Sequence, residues 1–354
     1  MKVKKILLSS LAGIMSFLSG CGDAAMNKET KVVTEFKWYA VATAPRDYPM
    51  EVISGEFIYK GLGYGVSIPS GGTLTQGWGV STSSYVIGPE FKPLPDRVYV
   101  KFYSYTENKF YEADFALPYD NILAKFRQQL EENPQKPYSK FLIGIAPGGA
   151  ISVWIKGPRS TEVYFGQAKE ISMTPSAAFK LPFTSKEDSD EYVASALAES
   201  VTPEQLAYIK KHGAPIGTWA RFRNLYKWVP VYKEGKPVTD SKMPVDFLNG
   251  ESHWIPTQFD EELANTPKPL PEHLQFSAQA TKDDNPFYRV DFEPFELMEA
   301  FEKLGAQGEK VFIEFDPQVP RENMKIRVYN DKEPSNPKTA KEYIELKKIY
   351  VKPK

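Results

Sequence analysis

The sequence contains few side chains whose types and spacing could support catalysis. A serine hydrolase requires a Gly-x-Ser-x-Gly turn between a strand and a helix. The nearest stretch, Gly79-Val80-Ser81-Thr82-Ser83, lacks the second glycine and a following helical pattern. Three histidines, His212, His253 and His273, are too few and too scattered for a catalytic triad or a histidine-rich metal site. We therefore predict that the protein is not an enzyme and that it uses no metal or organic cofactor.

Two aspartates, Asp114 and Asp291, are the remaining candidates for acid–base chemistry. They occupy equivalent positions in two similar segments, Phe110 to Phe115 and Phe287 to Phe292. If the fold is repeated, the two carboxylates could form a paired site. The alternative, which we favour, is that each aspartate has a structural role at a turn or a strand edge.

A glycine-rich segment, Gly61 to Gly88, contains eight of the chain's 23 glycines and three aromatic residues, Tyr64, Trp78 and Tyr85. A phosphate-binding loop would need a lysine and a strand-to-helix setting, and no lysine lies between Lys60 and Lys92. Long loops are often functional, and tyrosine and tryptophan are frequent anchors of protein interfaces. We predict a recognition loop in which the three aromatic residues contact a partner. A surface loop without such a role is the alternative.

The elements that must position this loop follow a repeated pattern. Residues 108–155 contain an aromatic strand, a proline, a helical pattern, an apolar run broken by proline, and an alternating strand. The same order recurs from Phe287 to Tyr329, and four residues of the two aromatic strands are identical at equal spacing. Self-similarity of this kind indicates a duplicated supersecondary unit.

We predict an α+β, mostly β fold with two tandem, duplicated antiparallel-sheet domains, each with a crossing helix. The first β-rich domain covers residues 36–182, and its repeat covers residues 214–354. Residues 183–213 form a helical connector. Within it, Thr202-Pro203-Glu204-Gln205 has the residues of a helix start, and Gly213 those of a helix end.

Composition limits the classes of partner. The chain has 354 residues, 44 basic and 45 acidic, so the formal net charge is −1. This balance argues against nucleic acid and against a polybasic membrane surface as partners. The aromatic content of 14%, concentrated in alternating segments, favours strands.

Cys21, the only cysteine, ends a signal-peptide pattern. Three lysines precede an apolar run from Ile6 to Leu18 that is too short for a stable membrane span. Leu18-Ser19-Gly20-Cys21 then matches the bacterial lipobox. We predict that residues 1–20 are a signal peptide and that Cys21 is lipidated after cleavage, which anchors the protein.

The residues that follow Cys21 suggest where the protein is anchored. Residues 21–35 are small, polar and charged, so we predict a lipid-anchored tether. Gly22 follows the cysteine, where an aspartate would retain an enteric lipoprotein in the inner membrane. The expected location is therefore the outer membrane, with the protein facing the periplasm.

Several motifs together resemble a family of bacterial lipoproteins of unknown function. They are Asn108-Lys109-Phe110-Tyr111, Phe115-Ala116-Leu117-Pro118, Ile145-Ala146-Pro147-Gly148-Gly149, Val153-Trp154, Arg221-Phe222-Arg223, Tyr226-Lys227-Trp228 and Phe247-Leu248-Asn249-Gly250-Glu251. The resemblance covers most of the mature chain, and the C-terminal part matches only loosely. Some members resemble immunity proteins of type VI secretion phospholipase effectors. The resemblance thus implies a periplasmic protein that binds and neutralises an antibacterial lipase by occluding its active site.

Two other interpretations stay open. One is a structural or envelope-maintenance lipoprotein without a toxin partner. The other is an enzyme that acts on glycans or lipids. We expect a lipase effector as the protein partner, and attachment to the membrane only through the N-terminal lipid.

Overall fold

The structure is a computed structural model that describes residues 33–81, 88–281, 284–305, 308–330 and 343–351. The chain divides into two compact units, Met1–Val33 and Thr34–Lys354. Val33 is the part of the first unit that is described. The predicted signal peptide, Cys21 and nearly all of the tether therefore lie outside the described residues, as does Tyr85.

Among the described residues, the first half of the second unit contains twelve strands and one α-helix. They are β1 (Glu35–Lys37), β2 (Tyr39–Thr43), β3 (Met50–Tyr59), β4 (Gly65–Ser67), β5 (Thr73–Leu74), β6 (Phe91–Pro93), β7 (Pro95–Ser104), β8 (Lys109–Ala116), α1 (Tyr119–Glu132), β9 (Lys140–Ala146), β10 (Ala150–Lys156), β11 (Ser160–Gln167) and β12 (Lys169–Ile171).

Four helices follow, and then the second half, in which strands again dominate. The four helices are α2 (Pro175–Phe179), α3 (Lys186–Ser200), α4 (Pro203–His212) and α5 (Thr218–Arg221). The second half contains β13 (Tyr226–Tyr232), β14 (Lys242–Phe247), β15 (Ser252–Pro256), α6 (Glu261–Asn265), β16 (Pro267–Lys268), β17 (Pro271–Ser277), β18 (Phe287–Phe292), α7 (Pro294–Leu304), β19 (Val311–Asp316), β20 (Lys325–Asn330), β21 (Ile344–Leu346) and β22 (Ile349–Val351). The predicted α+β, mostly β class is confirmed.

Strand pairing repeats between the halves. In the first half, β3, β7 and β8 form an antiparallel meander, and α1 leads into the β9–β10 hairpin. In the second half, β14, β17 and β18 form the equivalent meander, and α7 leads into the β19–β20 hairpin. An early strand of each half pairs in parallel with the strand after the helix, β2 with β9 and β13 with β19. These two pairs depart from the predicted antiparallel sheets, because the long crossover through meander and helix permits parallel pairing.

A buried tryptophan in each half shows the repeat at the level of single residues. The indole of Trp38 donates a hydrogen bond to the carbonyl of Pro93 at 3.0 Å, and that of Trp228 to the carbonyl of Pro269 at 2.9 Å. The ammonium of a buried lysine, Lys92 or Lys268, lies 5.4 or 4.9 Å from the respective ring centre. Burial lowers the pKa of both lysines, that of Lys268 to about 8.

The sequence contains a motif that predicts these matching tryptophan and lysine contacts. Lys92-Pro93-Leu94-Pro95 and Lys268-Pro269-Leu270-Pro271 are the same motif at the same place in each half. It lies outside residues 108–155, so the repeated pattern of that segment does not include it.

Each half has its own hydrophobic core, and a shared sheet joins them. The core of the first half includes Trp38 and Phe126, and that of the second includes Trp228 and Phe301. A nine-stranded sheet runs through both in the order β2-β9-β10-β11-β15-β14-β17-β18-β22. The halves meet in it at a single residue pair, Ser160 with Ser252.

Helix α4 begins and ends at capping residues. Helix α4 starts after Thr202, whose hydroxyl accepts the N–H of Gln205 at 3.2 Å, and it ends before Gly213, which has φ +71°. These bounds confirm the predicted start and end. Among the described residues, no helix has the length and apolar character that crossing a membrane would require.

Candidate functional site

The two described residues of the predicted recognition loop have opposite surroundings. Tyr64 lies directly before β4, and 61% of it is exposed. Trp78 is 6% exposed, so the prediction of Trp78 as a surface contact is corrected. Its ring packs edge-on against Trp154 at 5.1 Å between ring centres, and Trp219 lies 6.3 Å away. An indole side chain gains more by filling this space between the halves than by staying in water.

The backbone on both sides of Trp78 is also fixed. Gly77 is bonded at the end of β2: its N–H donates to the carbonyl of Ala44, directly after the strand, at 2.9 Å, and its carbonyl accepts the hydroxyl of Thr43 at 2.6 Å. The ammonium of Lys156 donates to the carbonyl of Gly79 at 3.1 Å. A Cβ on Gly79 would lie 2.5 Å from the Cα of Gly250 in the second half. Glycine is required here because two backbones touch.

The turn between β14 and β15 supplies the other side of this contact. The indole of Trp154 donates to the carbonyl of Asn249 at 3.0 Å. The hydroxyl of Ser160 donates to the carbonyl of Gly250, also at 3.0 Å. The N–H of Glu162 donates to the Glu251 carboxylate at 2.9 Å. We call the region formed by Trp78, Trp154, Trp219 and residues 249–252 the seam. It locks residues 77–79 of the glycine-rich segment to both halves.

Beside the seam lies a buried carboxylate, that of Glu162 on β11. Its side chain is 7% exposed. Ser152 donates its hydroxyl to one carboxylate oxygen at 2.5 Å, and the Nε of Arg223 donates to the other at 2.7 Å. Burial raises the pKa of Glu162, whereas the bonds from Ser152 and Arg223 act in the opposite direction. Perturbed carboxyl groups of this kind concentrate at functional sites but also occur in structural ion pairs.

An open cleft of about 570 Å³ lies over this ion pair. The guanidinium group of Arg223 lies 4.7 Å from the ring centre of Phe165, and the rings of Phe115 and Tyr164 stack at 3.9 Å. The cleft is thus mostly apolar with one charged pair, which is a common composition for a binding site. Its lining consists of Ala116, Leu117, Pro118, Glu162, Val163, Tyr164, Phe165 and Arg223.

The two matched aspartates each have a partner of their own. Arg97 makes a two-pronged contact to Asp114 across β7 and β8, with N–O distances of 2.6 and 2.5 Å. Asp291 accepts a bond from Arg289 at 3.3 Å and stands opposite His273 in the sheet. These contacts give each carboxylate a structural role on its own strand.

The described histidines have structural contacts as well. The Nε2 of His273 lies 2.8 Å from the carboxylate of Asp246 on the adjacent strand. Burial lowers the pKa of His253. Within the ranges that the structure describes, no three or more histidine, cysteine, aspartate or glutamate residues are grouped so that they could hold a metal ion.

The sequence patterns do not single out every exposed aromatic residue, and Trp254 is one example. Trp254 on β15 is 59% exposed and stands opposite Pro244 on β14. Its alternation with the buried Ile255 in a strand-like stretch was the available signal.

The fold and the site define a class: a two-repeat, mostly β protein with an anchored glycine-rich segment and an open cleft beside the seam. A family model described as "Protein of unknown function (DUF2931)" matches residues 24–217. The match covers more than half of the chain, so the chain belongs to this family. No curated protein and no solved structure matches it. The matched range contains the first half and helices α2 to α4, and it ends before Arg223 and the second half.

Proposed function

We propose that the protein is an outer-membrane lipoprotein that faces the periplasm and binds a protein partner. The most concrete partner is a type VI secreted antibacterial lipase, whose active site the protein would occlude as an immunity protein. The single observation that carries the binding proposal is the exposure of Tyr64 on a tip that backbone hydrogen bonds close. The resemblance of the sequence to immunity lipoproteins supports the identity of the partner.

Tyr64 stands at the tip between β3 and β4. The tip is closed by two hydrogen bonds of about the usual length, from the N–H of Tyr59 to the carbonyl of Tyr64 at 3.0 Å and from the N–H of Leu62 to the carbonyl of Tyr59 at 3.0 Å. The carboxylate of Glu56 accepts the N–H of Gly65 at 2.7 Å. An exposed aromatic side chain on a fixed backbone loses little conformational entropy when it binds.

The surroundings of Tyr64 suit a contact with another protein. Its ring rests edge-on against Tyr59, 5.7 Å between centres, and Leu62 beside it is also exposed. Tyrosine is among the residues that dominate binding energy when they become buried at an interface. Residues 77–79 of the same glycine-rich segment are held at the seam, so the segment combines an exposed tip at Tyr64 with a buried contact at Trp78.

Replacing Tyr64 by alanine should weaken partner binding by roughly 30-fold, because an interface hot spot contributes about 2 kcal/mol. Thermal stability should stay unchanged, since the side chain is already exposed. Binding is measured by calorimetry against the product of the adjacent gene, together with inhibition of its lipase activity. Tyr208→Ala, at another exposed tyrosine on α4, is the matched control and should retain full affinity.

Two outcomes would contradict this assignment in different ways. Full affinity of folded Tyr64→Ala would exclude the tip as the contact but would leave the lipase as a partner. Failure of the wild-type protein to bind or inhibit the neighbouring product would remove the immunity function and favour an envelope-maintenance role. Replacing Trp78 as well, as the sequence alone suggested, would confound the test because Trp78 belongs to the seam.

The anchor has its own test. Cys21→Ser should block lipidation, so the protein should move from the membrane fraction to the soluble periplasmic fraction or accumulate as unprocessed precursor. The measurement is fractionation with immunoblotting and mass determination of the N-terminal peptide. A variant with Ser19 replaced by alanine keeps the lipobox pattern and should fractionate as wild type. Unchanged fractionation and processing of Cys21→Ser would show that Cys21 does not anchor the protein.

A further inference from the structure

The strand β11 has one side that its neighbours leave largely open. It pairs with β10 over its whole length, from Ala150 opposite Gln167 to Lys156 opposite Ser160. On the other side it pairs with β15 at Ser160 alone. Within the described residues, no strand pairs with this outer side from Thr161 to Gln167. Such an edge presents backbone N–H and C=O groups to any extended segment that reaches it.

Side chains form hydrogen bonds with the backbone at the beginning of this edge. The N–H of Ser160 donates to the hydroxyl of Ser252 at 3.0 Å, and the N–H of Glu162 donates to the carboxylate of Glu251 at 2.9 Å. These two side chains occupy the places that a neighbouring strand would fill. The register then shifts at Val163, because Val153 stands opposite Tyr164 whereas Trp154 stands opposite Glu162. A bulge of this kind bends the strand and changes the direction of its side chains, and it is frequent beside functional sites.

The cleft described above runs along this open edge. Its lining includes four successive residues of β11, from Glu162 to Phe165, and three residues that lead into α1, from Ala116 to Pro118. The space is therefore a trough with a strand edge on one side and an apolar wall on the other. Arg223 closes part of it with a guanidinium group whose Nε is bonded to Glu162.

We propose that the trough between β11 and residues 116–118 binds an extended, acidic peptide segment of a partner protein, which adds to the sheet as a strand next to Tyr164 to Gln167. Main-chain hydrogen bonds to an edge strand are the basis of this recognition mode, and flanking pockets select side chains. A guanidinium group has five N–H donors in a planar fork, of which one is bonded to Glu162. The remaining donors of Arg223 suit a carboxylate on the peptide.

Residues 116–118, the wall opposite the edge, favour a peptide over a second copy of this chain as the occupant of the trough. Two copies that paired through β11 would each have to bring a whole sheet into the trough beside Pro118. A single extended segment needs only the width of one strand, roughly 5 Å. This site is separate from the Tyr64 tip, so its failure would leave the proposed function intact.

The test uses the full-length protein in detergent micelles and a phage-displayed library of random dodecapeptides. Enriched peptides should contain aspartate or glutamate and should bind with an affinity that Ala116→Trp lowers by more than tenfold. Ala116 is exposed and lines the trough, so its replacement fills the site without disturbing the core. Ala198→Trp, at an exposed alanine of α3 outside the trough, is the matched control and should bind as wild type.

Two further readouts separate strand addition from other modes. The bound peptide should slow hydrogen–deuterium exchange of the segment Ser160 to Gln167, and Arg223→Gln should weaken acidic peptides by about tenfold while leaving their alanine-substituted forms unaffected. Absence of enriched peptides, equal binding to Ala116→Trp, or protection confined to other segments would overturn the proposal. A concentration-dependent dimer that Ala116→Trp abolishes would assign the edge to self-association instead and would also overturn it.

Discussion

Replacing Trp154 by alanine should lower the free energy of unfolding by about 4 kcal/mol, within the range for large aromatic residues removed from a core. The side chain is fully buried where the seam joins the two halves. Its ring contacts Trp78, and Cβ atoms built on Gly144 and Gly250 would lie within 2.6 and 2.7 Å of it. The indole also satisfies the carbonyl of Asn249 at 3.0 Å. The alanine variant would therefore leave a cavity and an unpaired buried acceptor.

The measurement is urea unfolding followed by far-ultraviolet circular dichroism, with Trp254→Ala as the matched control. Trp254 is the same residue type, yet it is more than half exposed on a strand of the second half. Its replacement should change the free energy of unfolding by less than about 0.5 kcal/mol, as is usual at the surface. Comparable losses in the two variants would show that the seam does not hold the halves together.

Features with local causes could be predicted from the sequence. The helix α4 is bounded by the side-chain cap at Thr202 and by the positive φ of Gly213, and both signals lie within a dozen residues. The aromatic strands that became β8 and β18 alternate with a period of two, which fixes strand structure without knowledge of the partner strand. The order of these elements in two copies then gave the repeat.

Features that depend on distant residues could not be predicted in this way. Trp78 has the sequence surroundings of a surface loop, and only its contacts with Trp154 and Trp219 show that it is buried. The parallel pairing of β2 with β9 depends on where the chain returns after the meander and the helix. Local alternation carries no information on the direction of the neighbouring strand.

The two candidate sites differ in the same way: one depends on local sequence and the other on distant residues. Tyr64 could be chosen from the sequence because an aromatic residue between glycines is a recognisable type of contact, and the structure places it at the surface. The trough beside β11 could not, because its wall comes from residues 116–118, its edge from β11 and its charge from Arg223. The unpaired state of an edge is a property of the assembled sheet.

The seam also gives a second reason for glycine at position 250, besides the positive φ of the turn between β14 and β15. Replacing Gly250 by alanine should lower the free energy of unfolding by about 3 kcal/mol, as the sum of a left-handed backbone cost of roughly 1 kcal/mol and an overpacking cost of roughly 2 kcal/mol. Gly250 has φ +83°, and a Cβ there would meet the ring of Trp154 at 2.7 Å and the Cα of Gly79 at 3.0 Å. The measurement is again urea unfolding.

A second glycine separates these two contributions. Gly235 has φ +78°, close to that of Gly250, but a Cβ there would meet nothing within 4 Å. Gly235→Ala should therefore show only the backbone cost of roughly 1 kcal/mol. The difference between the variants, roughly 2 kcal/mol, measures the close approach of the two halves at the seam. Equal losses would mean that Gly250 is required for its backbone conformation alone and that the contact with Gly79 and Trp154 can relax.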